Sequence, residues 1–204
     1  CGFDSIRLAS RAETSDDFHR AALLIIFAMF FDMLDGRVAR MTKTQSAFGL
    51  QIDSLADVMS FGLAPAILVY EWALSRFDTI GLVASFLFVA CAAIRLARFN
   101  VLAMAPSGEP TKASKFFLGL PTPGAAGILV SIVVATDAVP GGMTRPEYAW
   151  VVFGVTLALA AFMVSNVEFR TFKDVRLNAR TIVFVAFAIG SSAIISTQTK
   201  PALG

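Results

Sequence analysis

The chain has 204 residues, of which 56% are hydrophobic and 16% are charged, and its formal net charge is +2. Soluble domains carry about 25% charged residues, so this composition excludes an ordinary water-soluble globule, and the apolar content excludes a disordered chain. The small net charge argues against nucleic acid as a partner. The composition predicts an integral membrane protein with room for about six or seven helices and for no large soluble domain.

The first residues, 1–18, mix arginines with acids and precede the first apolar stretch. We expect them to form an interfacial or solvated helix ahead of the complete spans. Because the first residue is Cys1 and not methionine, we also expect the sequence to begin inside a longer chain. A processed lipoprotein is the alternative explanation.

Three stretches are free of charged residues and about long enough to cross a bilayer. They are residues 116–136, 148–167 and 181–199. Three other stretches reach that length only if their helices continue through charged residues, and these are residues 19–40, 46–75 and 78–104. We therefore expect an all-α integral membrane protein, a polytopic bundle of six complete transmembrane helices in a single domain over residues 1–204. Charges at membrane depth are costly and usually mark function, which directs attention to the interrupted spans.

The basic residues divide unevenly between the two sides that these spans define. Eleven of the 17 lysines and arginines follow the first, third and fifth spans, while both tryptophans and both tyrosines lie at the opposite interface. Basic residues are enriched on the cytoplasmic side of membrane proteins, and aromatic residues at the interfaces. The pattern predicts a protein of the cell membrane whose first, third and fifth spans end at the cytoplasm.

Four aspartates lie at the end of the first span and the start of the second. Asp32 and Asp35 are three residues apart and Asp53 and Asp57 four apart, so each pair shares a helix face. A turn near Lys43 would bring both pairs to similar depth in an antiparallel hairpin. Four clustered carboxylates cannot all stay ionised without cations, and oxygen ligands favour Mg²⁺, Mn²⁺ or Ca²⁺ over zinc.

Small residues and an arginine accompany the four acids, namely Gly36, Ala39, Arg40 and Gly49. The small residues leave room above the acids, and a guanidinium group such as that of Arg40 suits phosphate. This combination predicts metal-assisted phosphoryl transfer on a nucleotide diphosphate, with the site facing the cytoplasm. Any one acid alone would be explained equally well by a helix end or an ion pair, but four at this spacing favour a site.

The hairpin resembles the signature of the CDP-alcohol phosphotransferase family, D-x2-D-G-x2-A-R-x8-G-x3-D-x3-D, with every fixed position filled. The resemblance implies a homodimer and two divalent cations per site, Mg²⁺ or Mn²⁺ with Ca²⁺ as a substitute in crystals. It also implies another helix before the hairpin, so we expect one more transmembrane helix ahead of the first residue. The implied ligands are Asp32, Asp35, Asp53 and Asp57. In this assignment Asp35 serves one cation only and Asp57 the other, and Asp57 is the general base for the alcohol. The positions implied to hold the CDP moiety are Gly36, Ala39, Arg40 and Gly49.

Three segments outside the signature resemble the CDP-diacylglycerol–serine phosphatidyltransferase branch of that family. They are residues 60–66, 94–100 and 119–123. This resemblance implies transfer of the phosphatidyl group from CDP-diacylglycerol, a membrane lipid, to L-serine. The residues implied to bind serine or the lipid phosphate are Ser60, Arg95, Arg98, Asn100 and Thr122. A serine carboxylate calls for a cation near the metals, but glycerol 3-phosphate or inositol phosphate would call for one too, so charge alone leaves the acceptor open.

An ion-coupled secondary transporter is the alternative from another functional class, because intramembrane acids also bind coupling ions. It predicts broken helices that correspond between two related halves of the chain. Here the acids lie in one hairpin and the last three spans contain none. This distribution favours the enzyme.

Overall fold

The structure is a computed structural model that describes residues 1–42, 47–103, 116–137, 146–166 and 168–170. The chain divides into two compact units, Cys1–Phe169 and Arg170–Gly204, and all helices named below lie in the first. The predicted sixth span at residues 181–199 and the predicted turn near Lys43 lie outside the described residues. The count of six complete spans therefore stays a prediction.

Helices account for nearly all of the described chain. The α-helices are α1 (Gly2–Ala9), α2 (Ser15–Thr42), α3 (Ala47–Asp57), α4 (Ala64–Trp72), α5 (Asp78–Ala103), α6 (Thr122–Asp137) and α7 (Pro146–Val164). A π-turn (Val58–Leu63) joins α3 to α4, and a 3₁₀ turn (Leu74–Phe77) precedes α5. Two three-residue strands, β1 (Phe116–Leu118) and β2 (Glu168–Arg170), pair with each other and are a small departure from the predicted all-α fold.

The helices of the three charged spans run through their charged residues, as the sequence predicted. α2 is 28 residues long and runs on past Asp32 and Asp35, and α5 is 26 residues long and runs on past Arg95 and Arg98. Two stretches, Phe48–Trp72 and Leu74–Leu102, are long and apolar enough to cross a membrane. Two further helical stretches are apolar but shorter, namely Thr122–Ala135 and Tyr148–Val164.

The fourth predicted span begins later than expected, at Thr122 and not at residue 116. Pro121 explains the difference, because the residue before a proline, here Leu120, is driven out of the helical region, whereas Pro123 fits the first turn of a helix. Gly119 just before them has a φ of +77°, and a Cβ there would overlap the carbonyl oxygen of Met163. The chain therefore turns sharply at Gly119 before α6 starts.

The second predicted span is one continuous helix whose middle is a π-turn. Helical dihedral angles continue through Asp57 and Ala64 on either side of it. Pro65 accounts for the turn, because it has no N–H for the carbonyl group of Phe61 four residues earlier and its ring crowds the preceding turn. The extra residue per turn changes which face of the helix follows Asp57.

α4 lies at the centre of the bundle and packs against α1, α2, α5 and α6. Its buried residues are Ala64, Pro65, Ala66, Leu68 and Val69. Small residues such as Ala64 and Ala66 permit close helix packing, while large apolar side chains cover much of the outside, with Phe86 of α5 being 67% exposed. Exposed apolar side chains on this scale are typical of a surface that faces lipid.

The first helix, α1, buries one face against its neighbours. Ser5 Oγ donates a hydrogen bond of 2.8 Å to the carbonyl oxygen of Ala21 at the start of α2. A Cβ on Gly2 would lie 2.7 Å from Ser60 Oγ in the π-turn. The opposite face of α1, with Phe3 and Arg7, is exposed. This segment thus packs on the bundle, and its predicted interfacial location stays a prediction.

Candidate active site

Asp32 of α2 and Asp57 of α3 meet across the helical hairpin. Both side chains are half-buried, and their carboxyl groups are hydrogen-bonded to each other. Because two ionised carboxylates within hydrogen-bonding distance would repel each other, such a contact requires either a shared proton or a cation. The spacing predicted that the two helices would bring their acids to the same depth, and for this pair they do.

The other two acids surround this pair without joining it. Asp53, one helical turn before Asp57, interacts by charge with both members of the pair, and Asp35 interacts by charge with Asp32. Both are exposed. Within the described residues no three acidic, histidine or cysteine side chains converge as the ligands of one ion. The structure therefore forms one carboxyl pair with two further negative charges beside it.

The chemistry of this set fits a hard divalent cation. All four donors are carboxylate oxygens, which is what Mg²⁺, Mn²⁺ and Ca²⁺ prefer. A cation at the pair would take the place of the shared proton and relieve the repulsion from Asp35 and Asp53. No ligand that would favour a softer metal ion lies beside the carboxyl pair, since its own turns of α2 and α3 contain no cysteine or histidine.

A buried arginine faces the acids from α5. Arg95 is only 9% exposed and interacts by charge with Asp57. Its Nη1 donates a hydrogen bond of 3.1 Å to Thr122 Oγ1, and Thr122 is fully buried. Its Nε has no hydrogen-bond partner within the described residues. A buried guanidinium with an unused donor is suited to receive an anion.

Thr122 is held in place by the turn that starts α6. The backbone N–H of Leu120 donates to the carbonyl oxygen of Phe162 at 3.1 Å, and the sharp turn at Gly119 lies against Met163. The start of α6 is thereby tied to the end of α7. The sequence singled out residues 119–123 by resemblance, and the structure shows that they position a partner of Arg95.

The side chain of Asn100, near the end of α5, contacts α3. Its Oδ1 accepts a hydrogen bond of 3.1 Å from Ser54 Oγ, and its Nδ2 donates one of 3.0 Å to Gln51 Oε1. Ser54 Oγ also lies 3.0 Å from the carbonyl oxygen of Leu50. The sequence analysis missed Gln51 and Ser54. Their signal was present, because they are polar, three residues apart and on either side of Asp53 in an apolar helix.

Other predicted site residues lie apart from these contacts or outside the described part. Ser60 packs against Gly2 of α1. Arg98 is half-buried and makes no hydrogen bond or ion pair within the described residues. The four residues assigned to CDP flank the hairpin turn on α2 and α3, and the side chains of two of them are outside the described part, namely Ala39 and Arg40.

Comparison with known proteins identifies the family. The sequence model of the CDP-alcohol phosphatidyltransferase family matches residues 5–164. The chain is 38% identical over 172 residues to the CDP-diacylglycerol–serine O-phosphatidyltransferase of Helicobacter pylori, covering 84% of this chain and 69% of that protein. It is 40% identical over 136 residues to the enzyme of that name from Saccharomyces cerevisiae, covering 63% of this chain and 48% of that protein.

A third relative is archaeal. The chain is 44% identical over 108 residues to the CDP-diacylglycerol–serine O-phosphatidyltransferase of Methanocaldococcus jannaschii, covering 52% of this chain and 47% of that protein. The family model spans every element from α1 to α7, including the acid pair and Arg95. This chain therefore belongs to the CDP-alcohol phosphatidyltransferase family, whose members are membrane-embedded enzymes that generally use divalent metal ions.

Proposed function

We propose that this chain transfers the phosphatidyl group from CDP-diacylglycerol to L-serine, releasing CMP and forming phosphatidylserine. The observation that carries the proposal is the meeting of an acid pair, Asp32 and Asp57, with a buried arginine, Arg95, whose Nε has no hydrogen-bond partner within the described residues. The acids suit a metal-neutralised diphosphate, and the arginine suits the carboxylate of the acceptor. The names of the relatives support serine as that acceptor. Family membership favours the enzyme over an ion-coupled transporter.

The metal ligands would be the four acids of the hairpin. We assign two divalent cations, Mg²⁺ or Mn²⁺, to Asp32, Asp35, Asp53 and Asp57. When bound, such cations neutralise the diphosphate and stabilise the negative charge that develops on the leaving CMP. The CDP moiety would lie over the hairpin turn, against small residues that let the backbone approach it. The assigned positions are Gly36, Ala39, Arg40 and Gly49.

The protein's own part in the reaction centres on Asp57. Its carboxylate accepts the proton of the serine hydroxyl, and the serine oxygen forms a bond to the phosphorus of the phosphatidyl group. The bond from that phosphorus to the oxygen of CMP breaks, and CMP leaves with the electron pair. Arg40 at the end of α2 would contact the leaving phosphate. The apolar surroundings strengthen each of these charge interactions relative to water.

The acceptor would be oriented by α5 and α6. The unused Nε–H of Arg95 binds the serine carboxylate, while the hydrogen bond to Thr122 fixes the plane of the guanidinium group. Arg98, one turn further along α5, adds a second positive charge. We further propose that the site faces the cytoplasm of a cell-membrane protein and that the chain acts as a homodimer, as the distribution of basic residues and the family resemblance respectively predict.

The acceptor is tested by offering three alcohols to the purified chain in detergent with CDP-diacylglycerol and Mn²⁺. We expect CMP release with L-serine and not with glycerol 3-phosphate or inositol phosphate, because the relatives that this chain resembles are named for serine. CMP is quantified by chromatography and the lipid product by mass spectrometry. Turnover with one of the phosphorylated alcohols and none with serine would reassign the acceptor within the same family.

The proton acceptor is tested by Asp57→Asn, which keeps the shape of the side chain and removes its basicity. We expect the rate of transfer to fall by about 10²- to 10⁴-fold, the usual contribution of a general base. Binding of CDP-diacylglycerol, measured by equilibrium binding of labelled substrate, should persist. Asp16→Asn, the same change at an exposed residue at the start of α2, is the matched control and should leave the rate unaltered. Full activity of Asp57→Asn would contradict the assignment.

The acceptor pocket is tested by Thr122→Val, which is nearly isosteric and removes the oxygen that accepts from Arg95. A hydrogen bond to a charged group is worth about 1.5–3 kcal/mol, so we expect the KM for serine to rise about tenfold or more. Thr122→Ser keeps the oxygen and should restore most of the affinity. An unchanged KM for serine in Thr122→Val would remove Thr122 and Arg95 from the pocket.

A further inference from the structure

Asn100 is a buried polar side chain whose contacts differ from those of a ligand-binding residue. It is 6% exposed, and both ends of its carboxamide are engaged by side chains of α3, at 3.1 Å to Ser54 and 3.0 Å to Gln51. Arg95, by contrast, leaves one donor unused within the described residues. Asn100 and Arg95 of α5 therefore have different roles.

We propose that Asn100 is a positioning residue that holds α3 in the rotation and height at which its acids serve the cation site. The proposal rests on the proposed function, since it concerns the same site. Gln51 and Ser54 lie on either side of Asp53, and Ser54 is three residues before Asp57, so the residues that Asn100 holds are interleaved with the acids. Hydrogen bonds that hold Gln51 and Ser54 in place therefore also fix the positions of Asp53 and Asp57.

α3 needs such a link because few contacts within the described residues hold its outer part. It has 11 residues, and it packs mainly against α5 and the π-turn. Its side chains Phe48 and Leu55 are 75% and 70% exposed. Neighbouring residues of a helix point in directions about 100° apart, so a rotation of α3 about its axis by that angle would turn Asp53 and Asp57 away from α2.

Electrostatic repulsion acts in the direction that the link resists. Asp53 of α3 interacts by charge with Asp32 of α2, and the repulsion between their like charges pushes α3 away from α2 when no cation is bound. The contacts of Asn100 tie α3 to α5 instead. They thus keep the acids of α3 close to those of α2, so that a cation can bind without a prior movement of α3.

The link does not depend on which way the amide is turned. With Oδ1 toward Ser54, the single hydroxyl hydrogen of Ser54 is divided between Asn100 and the carbonyl oxygen of Leu50. With the amide reversed, Nδ2 donates to Ser54, which then donates fully to Leu50, and a reversed Gln51 amide donates to Oδ1. Either arrangement joins the same three side chains.

The test measures Mn²⁺ binding to the full chain in two ways, by the rise in melting temperature with Mn²⁺ concentration and by Mn²⁺-dependent CMP release. Loss of a residue that orients metal ligands typically costs 10- to 100-fold in metal affinity, so we expect Asn100→Leu to raise the half-saturating Mn²⁺ concentration about tenfold or more in both assays. We also expect kcat to fall while the KM for serine stays unchanged.

The partner residues give a second route to the same result. The double variant Gln51→Met with Ser54→Ala should raise the Mn²⁺ requirement as Asn100→Leu does, and combining all three changes should add nothing further, because they break one link. This double variant also carries the test if Asn100→Leu fails to fold. Ser85→Ala is the matched control, since Ser85 is a buried hydroxyl on the same helix with no hydrogen-bond partner within the described residues.

Three results would overturn the proposal. These are a wild-type response to Mn²⁺ in the variants, effects that add in the triple variant, and a raised KM for serine with unaltered Mn²⁺ dependence, which would place Asn100 in the acceptor pocket. A wild-type chain that Mn²⁺ does not stabilise would also overturn it. A wild-type chain that Mn²⁺ stabilises but that releases no CMP with serine would instead defeat the proposed function and leave the melting assay to decide this inference.

Discussion

Carboxylates that approach one another inside an apolar layer repel strongly, because little water is present to screen them. The contact between Asp32 of α2 and Asp57 of α3 exists in spite of that repulsion, with Asp35 and Asp53 adding to it. In the proposed function, a divalent cation would turn this unfavourable cluster into a favourable one, and a substrate diphosphate would complete the charge balance. Much of the surrounding structure can be understood as support for this one interaction.

The support comes from three directions. The central helix α4 packs against four other helices. The π-turn between Asp57 and Pro65 determines on which face of the helix Asp57 lies relative to α4. α5 supplies Arg95, whose charge opposes that of the acids, and the end of α5 reaches α3 through Asn100. α6 begins at Thr122 because the chain turns sharply at Gly119, and Thr122 accepts a hydrogen bond from Arg95. The acid pair and the residues proposed to bind the acceptor therefore lie on different helices and can be altered separately.

Much of the site follows from the sequence because helical spacing is regular. Aspartates three and four residues apart must share a face, so the meeting of α2 and α3 is predictable once both segments are read as helices. The contact between Arg95 and Thr122 spans 27 residues and depends on how α6 starts, which spacing alone does not give. The same holds for Gln51 and Ser54, whose importance appears only when Asn100 of another helix lies against them. The predicted span 116–136 starts before α6 because an absence of charged residues does not register the conformational limit that Pro121 imposes on the residue before it.

The central claim is that the hairpin acids bind divalent cations, and counting bound Mn²⁺ tests it most directly. The purified chain would be titrated with Mn²⁺ while electron paramagnetic resonance follows the free ion. The account predicts saturable binding of two ions per chain, and loss of that binding when Asp32 and Asp57 are both changed to Asn. Binding that does not saturate, or that is equally strong in the double variant, would contradict it.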